Sequence, residues 1–177
     1  RQFKAQKSEF SLIKELEVDE DKEDIKFLIY IRNNRQINAV SLSEPEGEGI
    51  LIKAVDFVQG NLVYSEEFGL LIDGGISPAY VTYEIQLPYD GNYELWVRYA
   101  TMLDETKKVR LVDIYFDNSL IKSEALTNMS KGWRYADSRW FREINIEAGE
   151  GRHTLKFIAR TTYFPHLAAI KLIYKSK

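Results

Sequence analysis

Between residues 93 and 99 apolar and polar positions alternate: Tyr93, Leu95, Val97 and Tyr99 fall on one side of an extended chain, Glu94, Trp96 and Arg98 on the other. That is the period of two a β-strand imposes, although Trp96 also needs cover, so this segment does not settle which side is core. Similar short runs recur at 50–54, 62–64, 80–87, 91–100, 109–116, 119–126, 140–146, 152–159 and 169–174. Turn formers separate them: Gly74 and Gly75, the 88–91 stretch from Pro88 to a glycine, Asp117 with Asn118, and the glycines of 148–151. Many short strands at such spacing predict an all-β protein, an antiparallel β-sandwich or jelly roll, with no long helix and no internal repeat.

Before residue 50 the rhythm differs. The apolar runs 25–31 and 37–42 flank Asn33 and Asn34 and predict a β-hairpin over 25–42. The stretch 44–49, with Pro45, Gly47 and Gly49, reads as a linker. The charged run 17–24 lacks the glycine a calcium loop needs to turn, so it reads as a solvated turn or helix end. The expected organisation is an N-terminal extension over 1–49, either the end of a preceding domain or a hairpin docked on the sandwich, followed by the sandwich over 50–177.

Composition narrows the function. A chain of 177 residues with 45% hydrophobic and 29% charged residues can bury a full core as one domain with an appendage. A net charge of −3 gives no basic face for nucleic acid. The absence of cysteine excludes disulfides, thiolate zinc sites and thiol catalysis. No apolar run reaches the length of a membrane span and no signal peptide is present. A chain starting at Arg1 is expected to be a processed product or a piece of something longer.

Catalytic signatures are sparse. With two histidines, a His-rich metal site is not available, and no cofactor motif, nucleophile elbow or phosphate loop occurs. His153 reads as structural; His166, among loop aromatics, reads as structural or ligand-facing. A carboxylate pair for glycoside hydrolysis could be drawn from Asp104, Glu105, Asp113, Asp117 and Asp137, but nothing in their context distinguishes them from surface charges. Asn128 with Ser130 forms an N-glycosylation sequon.

The most informative run is 127–140, a polar loop holding Trp133, Tyr135 and Trp140. Loops face water and bury little, so large aromatics there suggest a recognition surface; the alternative is that one ring caps the core and another covers an edge. Trp140, at a strand start, reads as core.

The ordered motifs of 50–174 resemble the carbohydrate-binding modules of the family 6 and family 35 kind, within the galactose-binding-like jelly rolls. The resemblance is carried by Ile52 with Ala54 in the opening strand and by Tyr83, Pro88, Gly91, Tyr93, Arg98 and Ala100 in the central stretch. It continues through the 112–118 strand, Gly132 and Trp133 followed by Trp140, and Ala148, Gly149, His153 and Leu155. Such modules often hold a structural calcium, whose ligand places fall here on Lys53, Val55 and Ala168, with Asp56 a poor substitute; an ammonium and two apolar side chains do not ligate a hard cation. The family's sugar-contacting Asn is replaced by His166.

The resemblance implies a non-catalytic module, extracellular or at the cell surface, contacting an oligo- or polysaccharide through the loops 73–80, 101–108, 127–139 and 161–167. Trp133 and Tyr135 would stack on sugar rings, with Arg134, Asp137, His166 and Tyr163 beside them; no metal or cofactor is expected. The alternative is a structural or interaction jelly roll that has lost its sugar site and packs on a domain partner. Its host would be a membrane glycosyltransferase with a soluble tail or a polysaccharide-degrading enzyme.

Overall fold

The computed structural model describes residues 10–18, 25–32, 40–41, 43–102, 111–160 and 163–176. In chain order the strands are β1 (Phe10–Val18), β2 (Ile25–Arg32), β3 (Val40–Ser41), β4 (Gly49–Lys53), β5 (Gln59–Gly60), β6 (Leu62–Ser65) and β7 (Leu70–Asp73). They continue as β8 (Tyr80–Leu87), β9 (Gly91–Ala100), β10 (Val112–Phe116), β11 (Ser119–Ala125), β12 (Arg139–Ala148), β13 (Gly151–Ala159) and β14 (His166–Ser176), with a 3₁₀ turn at Tyr135–Asp137. Among the described residues no helix is long and apolar enough to cross a membrane.

Backbone contacts divide the chain into two units, Arg1–Ile37 and Asn38–Lys177. In the first, β1 and β2 form a two-stranded antiparallel sheet, with Val18 opposite Ile25 and Phe10 opposite Arg32. This corrects the hairpin expected over 25–42. The partner of 25–32 is the alternating segment 10–18, whereas Val40 and Ser41 pair with Phe141 and Trp140 of β12. Residues 25–32 and 40–41 thus belong to different sheets; Asn33, Asn34 and the rest of the expected hairpin lie outside the described residues.

The second unit is the sandwich. One sheet has the order β11-β10-β13-β8-β5, the other β3-β12-β9-β14-β7-β6, with β4 also paired to β14. Strand β9 is flanked along its length by β12 and β14, and both its faces are covered. Tyr93, Leu95, Val97 and Tyr99 enter the main core with Tyr83, Phe157 and Ile170. Each such side chain contributes about 1.5–3 kcal/mol on burial. Trp96, on the outer face, packs with Trp140 and Ile173 in a second small cluster; the tryptophan assigned to the core therefore closes the opposite side of the sheet.

What covers that outer face is the segment expected to be a linker. Pro45 is buried, and Lys171, only 7% exposed, donates from Nζ to Glu44 Oε1 at 2.8 Å and to the Pro45 carbonyl at 2.6 Å. A side chain at Gly47 would run into Ile173, so only glycine lets the strap lie this close, at a φ of 127°. The turn at Asp117 and Asn118 has both residues at positive φ, 47° and 64°, the two-residue hairpin geometry their side chains favour.

Candidate functional site

At one end of the larger sheet, the finish of β9, the starts of β12 and β14 and the loops around residues 55, 68 and 135 converge. The 127–138 segment is held there by polar ties. Ser130 Oγ accepts from the Thr101 N–H at 2.9 Å and stands 2.7 Å from the Gly132 carbonyl. Asp137 Oδ2 accepts the Arg134 N–H at 3.2 Å, closing the 3₁₀ turn. Ser138 Oγ donates to the Tyr135 carbonyl at 2.7 Å and accepts from Arg98 Nε at 2.8 Å. The Tyr135 N–H donates to the Phe68 carbonyl at 2.9 Å.

These anchors fix the backbone at Tyr135 and leave its ring 50% exposed. Arg98, from the outer face of β9, lies over that ring with Cζ 4.2 Å from the centroid, and its Nη1 donates to the Tyr135 hydroxyl at 2.8 Å. A guanidinium over an aromatic face gains a cation–π attraction, so the pair is preorganised before any ligand arrives.

Beside it opens a cavity of about 340 Å³, lined by Tyr135, Arg98, Trp140, Tyr64, Leu51, Lys53, Val55 and Ala168, with Glu44 at one wall. Trp140 is 2% exposed, and its Nε1–H is buried with no hydrogen-bond partner. Lys53 and Val55, neighbours in sequence, and the distant Ala168 thus meet around one cavity, as their correspondence to a single metal site implies. The residues do not fit calcium: one is a cation and two are apolar. Among the described residues no group of three or more His, Asp or Glu is arranged to hold a metal.

The six residues singled out from sequence are placed differently from one another. Tyr135 faces the cavity. Trp133 and His166 pack on each other: their rings are 5.0 Å apart, the His166 Nδ1–H donates to the Trp133 carbonyl at 2.9 Å, and Phe68 packs at a tilt on the same imidazole, 4.7 Å away. His166 is 8% exposed, which leaves it little surface for a hydroxyl contact. The Asp137 carboxylate caps its own turn, Arg134 stands exposed 3.9 Å from Glu67, and Tyr163 is exposed in the next loop. Sequence reasoning missed Arg98, Tyr64 and Lys53 as neighbours of Tyr135. Arg98 had left a partial signal, a cation sharing one side of the alternating strand with Trp96.

The candidate catalytic carboxylates have structural engagements. Asp113 accepts from Arg160 Nε at 2.7 Å, and Asp117 pairs with His153 Nδ1 at 2.6 Å and accepts the Thr154 N–H at 2.8 Å. His153, bonded also to the Gly149 carbonyl at 2.9 Å, ties the start of β13 to the turn before it, the structural part expected of it. Asp104 and Glu105 lie outside the described residues. The sequon is turned inward, with Asn128 Nδ2 buried, so the folded domain does not present it for glycosylation.

No protein-family model matches the sequence, and no curated protein matches it. Solved structures do match in fold. A family 35 carbohydrate-binding module from Paenibacillus barcinonensis superposes with a TM-score of 0.60 at 17% identity, over 72% of this chain and 100% of that one. The family 35 module of Abf62 from Cellvibrio japonicus gives 0.58 at 14% identity, over 73% and 95%. A GH26-CBM35 β-(1,4)-mannanase from Podospora anserina gives 0.52 at 12% identity, over 75% of this chain and 29% of that one. The chain therefore has the jelly-roll fold of the family 35 modules.

Proposed function

We propose that the sandwich is a non-catalytic carbohydrate-binding module of a larger extracytoplasmic protein, and that it binds sugar in the cavity beside Tyr135. The observation that carries this reading is the Tyr135 ring, held half-exposed at a cavity wall by a backbone pinned through three hydrogen bonds and by Arg98 over its face. A rigid aromatic beside polar donors suits a pyranose, whose C–H face stacks and whose hydroxyls need partners. The fold supports the reading, since its neighbours are carbohydrate-binding modules and one of them is part of a mannanase chain.

The test is titration calorimetry over a panel of oligosaccharides with the wild type and Tyr135→Ala. Binding that disappears in the variant while the melting temperature stays close to wild type supports the site. Binding that persists in Tyr135→Ala moves the site elsewhere on the domain. A second reading, an interaction domain, draws on the packing of the buried His166 against Trp133 and Phe68, which engages two of the candidate groups within the domain. A wild type that binds no glycan on a broad array would make this second reading the better one.

A further inference from the structure

The strap of residues 44–48 covers the outer face of the larger sheet, and its first side chain, Glu44, also lines the cavity beside Tyr135. The strap is tied down along its length. Lys171 Nζ donates to Glu44 Oε1 at 2.8 Å and to the Pro45 carbonyl at 2.6 Å. The Tyr174 N–H donates to the Glu48 carbonyl at 2.9 Å, and the Tyr89 hydroxyl donates to Glu48 Oε1 at 3.3 Å. Lys171 thus takes one oxygen of the Glu44 carboxylate, and the Glu44 side chain is still 48% exposed.

The rest of the lining shows what that carboxylate supplies. Among the described residues around the cavity, Glu44 is the one acidic side chain. Lys53, Arg98 and the Trp140 indole are donors only, and apart from the hydroxyls of Tyr64 and Tyr135 the other side chains are apolar. The Tyr135 hydroxyl already accepts from Arg98. A sugar hydroxyl is a donor as well as an acceptor, and a hydrogen that finds no acceptor on binding costs affinity. The second oxygen of Glu44 is the charged acceptor placed to take it, and bonds to ionised acceptors are the strong ones.

We propose that Glu44 is a ligand-binding residue of this cavity, its second carboxylate oxygen accepting from a hydroxyl of a neutral sugar stacked on Tyr135, so that binding needs the strap in place. This rests on the carbohydrate-binding reading of the same site. It adds a residue that precedes β4, on a segment whose composition reads as a linker. Sugar binding and strap docking are then linked: lifting the strap weakens binding, and bound sugar holds the strap down by the same factor.

The experiment uses the whole chain with mannotetraose, xylotetraose and galactobiose as probes, and reads calorimetry beside cleavage by a Glu-specific protease. Glu44→Gln should weaken the tightest probe about tenfold, the worth of one hydrogen bond to a charged acceptor. Glu46→Gln, the same charge change at an exposed strap position away from the cavity lining, should leave affinity unchanged. Lys171 does not line the cavity, yet Lys171→Met unties Glu44 and Pro45, so it should both speed cleavage of the strap and weaken binding. In the wild type, probe at about ten times its Kd should slow cleavage after Glu46 and Glu48 about fivefold, given tenfold weaker binding when the strap is lifted. Cleavage after Glu150, in the exposed turn before β13, should keep its rate.

Wild-type affinity in either Glu44→Gln or Lys171→Met overturns the proposal and leaves the carbohydrate-binding reading standing. So does strap cleavage that bound probe does not slow, since the sugar then sits clear of Glu44. Equal slowing after Glu150 overturns it too, because the sugar then stabilises the whole domain and not the strap. If neither these probes nor any glycan of a broad array binds the wild type, both readings fall together.

Discussion

The imidazole of His166 is held between Phe68 at 4.7 Å and Trp133 at 5.0 Å, and its Nδ1–H is donated to the carbonyl of Trp133 itself. Trp133, half-buried, packs on this imidazole, and its loop is braced through it. Trp133→Ala should then lower stability by about 2 kcal/mol, a part of what truncating a fully buried tryptophan costs. Urea denaturation reads this directly. A variant as stable as wild type but unable to bind glycan would return Trp133 to the recognition surface.

Another pair closes the open edge of the sandwich. Glu143 of β12 has a fully buried side chain and is bonded to Lys122 Nζ of β11 at 2.6 Å, with the Tyr99 hydroxyl donating to it at 3.2 Å. Burial first, and then the Glu143 charge, push the Tyr99 hydroxyl well above its ordinary pKa, so it remains a donor at any physiological pH. Glu143→Ala would leave the Tyr99 hydroxyl without this acceptor and the Lys122 ammonium with only the carbonyl of residue 143, at 2.8 Å, a loss of about 3 kcal/mol. Lys122→Met should cost a comparable amount by stranding the carboxylate, and the double variant should cost less than the sum. Additive losses would mean that the two groups do not act as a pair.

Acid sensitivity should be traceable to one turn. Desolvation pushes the Asp117 carboxyl up, but the hydrogen bonds from His153 and Thr154 outweigh it and hold the group below the ordinary Asp value. A depressed folded-state pKa contributes stability that is fully present above the unfolded value, near about 4, and is lost as pH falls through the folded one. Asp117→Asn should therefore flatten the stability profile below about pH 4 and change its shape little near neutrality. A profile that keeps its full acid slope in the variant would place the sensitivity elsewhere, with Glu94 the next group to replace. Its carboxyl is pushed up by desolvation but held low overall by hydrogen bonds from Trp96 and Lys175 and by the charge of Arg142.

Much of the sandwich was legible because its strands are covered unequally on their two faces. Strand β8 buries Val81, Tyr83, Ile85 and Leu87 and exposes Glu84 and Gln86, so its pattern carries its own assignment. Strand β7 was not legible: Leu70, Leu71 and Ile72 are consecutive apolar residues, with Leu71 in the main core and Leu70 at the cavity, and such a run has no period to read. The pairing of β1 with β2 was missed because both neighbours of 25–31 were plausible partners and only three-dimensional register decides between them. In the loop, the aromatics were visible, but which ring faces water was not. That depends on Phe68 and His166, 65 and 33 residues away from Trp133, and on Arg98 reaching Tyr135 from another strand.

Metal removal is the simplest test of how the cavity is built. With Lys53, Val55 and Ala168 around it, excess chelator should leave the melting temperature of the domain where it was. A clear fall on chelation would show a cation bound by other groups of the domain.

The last prediction separates the loop's shape from its contacts. A Cβ at Gly132 would occupy the place of the Asp137 carboxylate, whose Oδ2 caps the turn by accepting the Arg134 N–H. Gly132→Ala therefore forces that carboxylate to swing away and opens the turn that sets the angle of Tyr135. Loss of such a cap costs about 1 kcal/mol, roughly a fivefold fall in affinity if the ring must be re-ordered on binding. Asp137→Ala removes the same cap from the other side and should weaken binding by a similar factor. Because both changes remove one interaction, the double variant should bind about as well as either single one. Fully additive losses would mean that Asp137 contacts the ligand itself, as the sequence had suggested, and does not act only through the turn it closes.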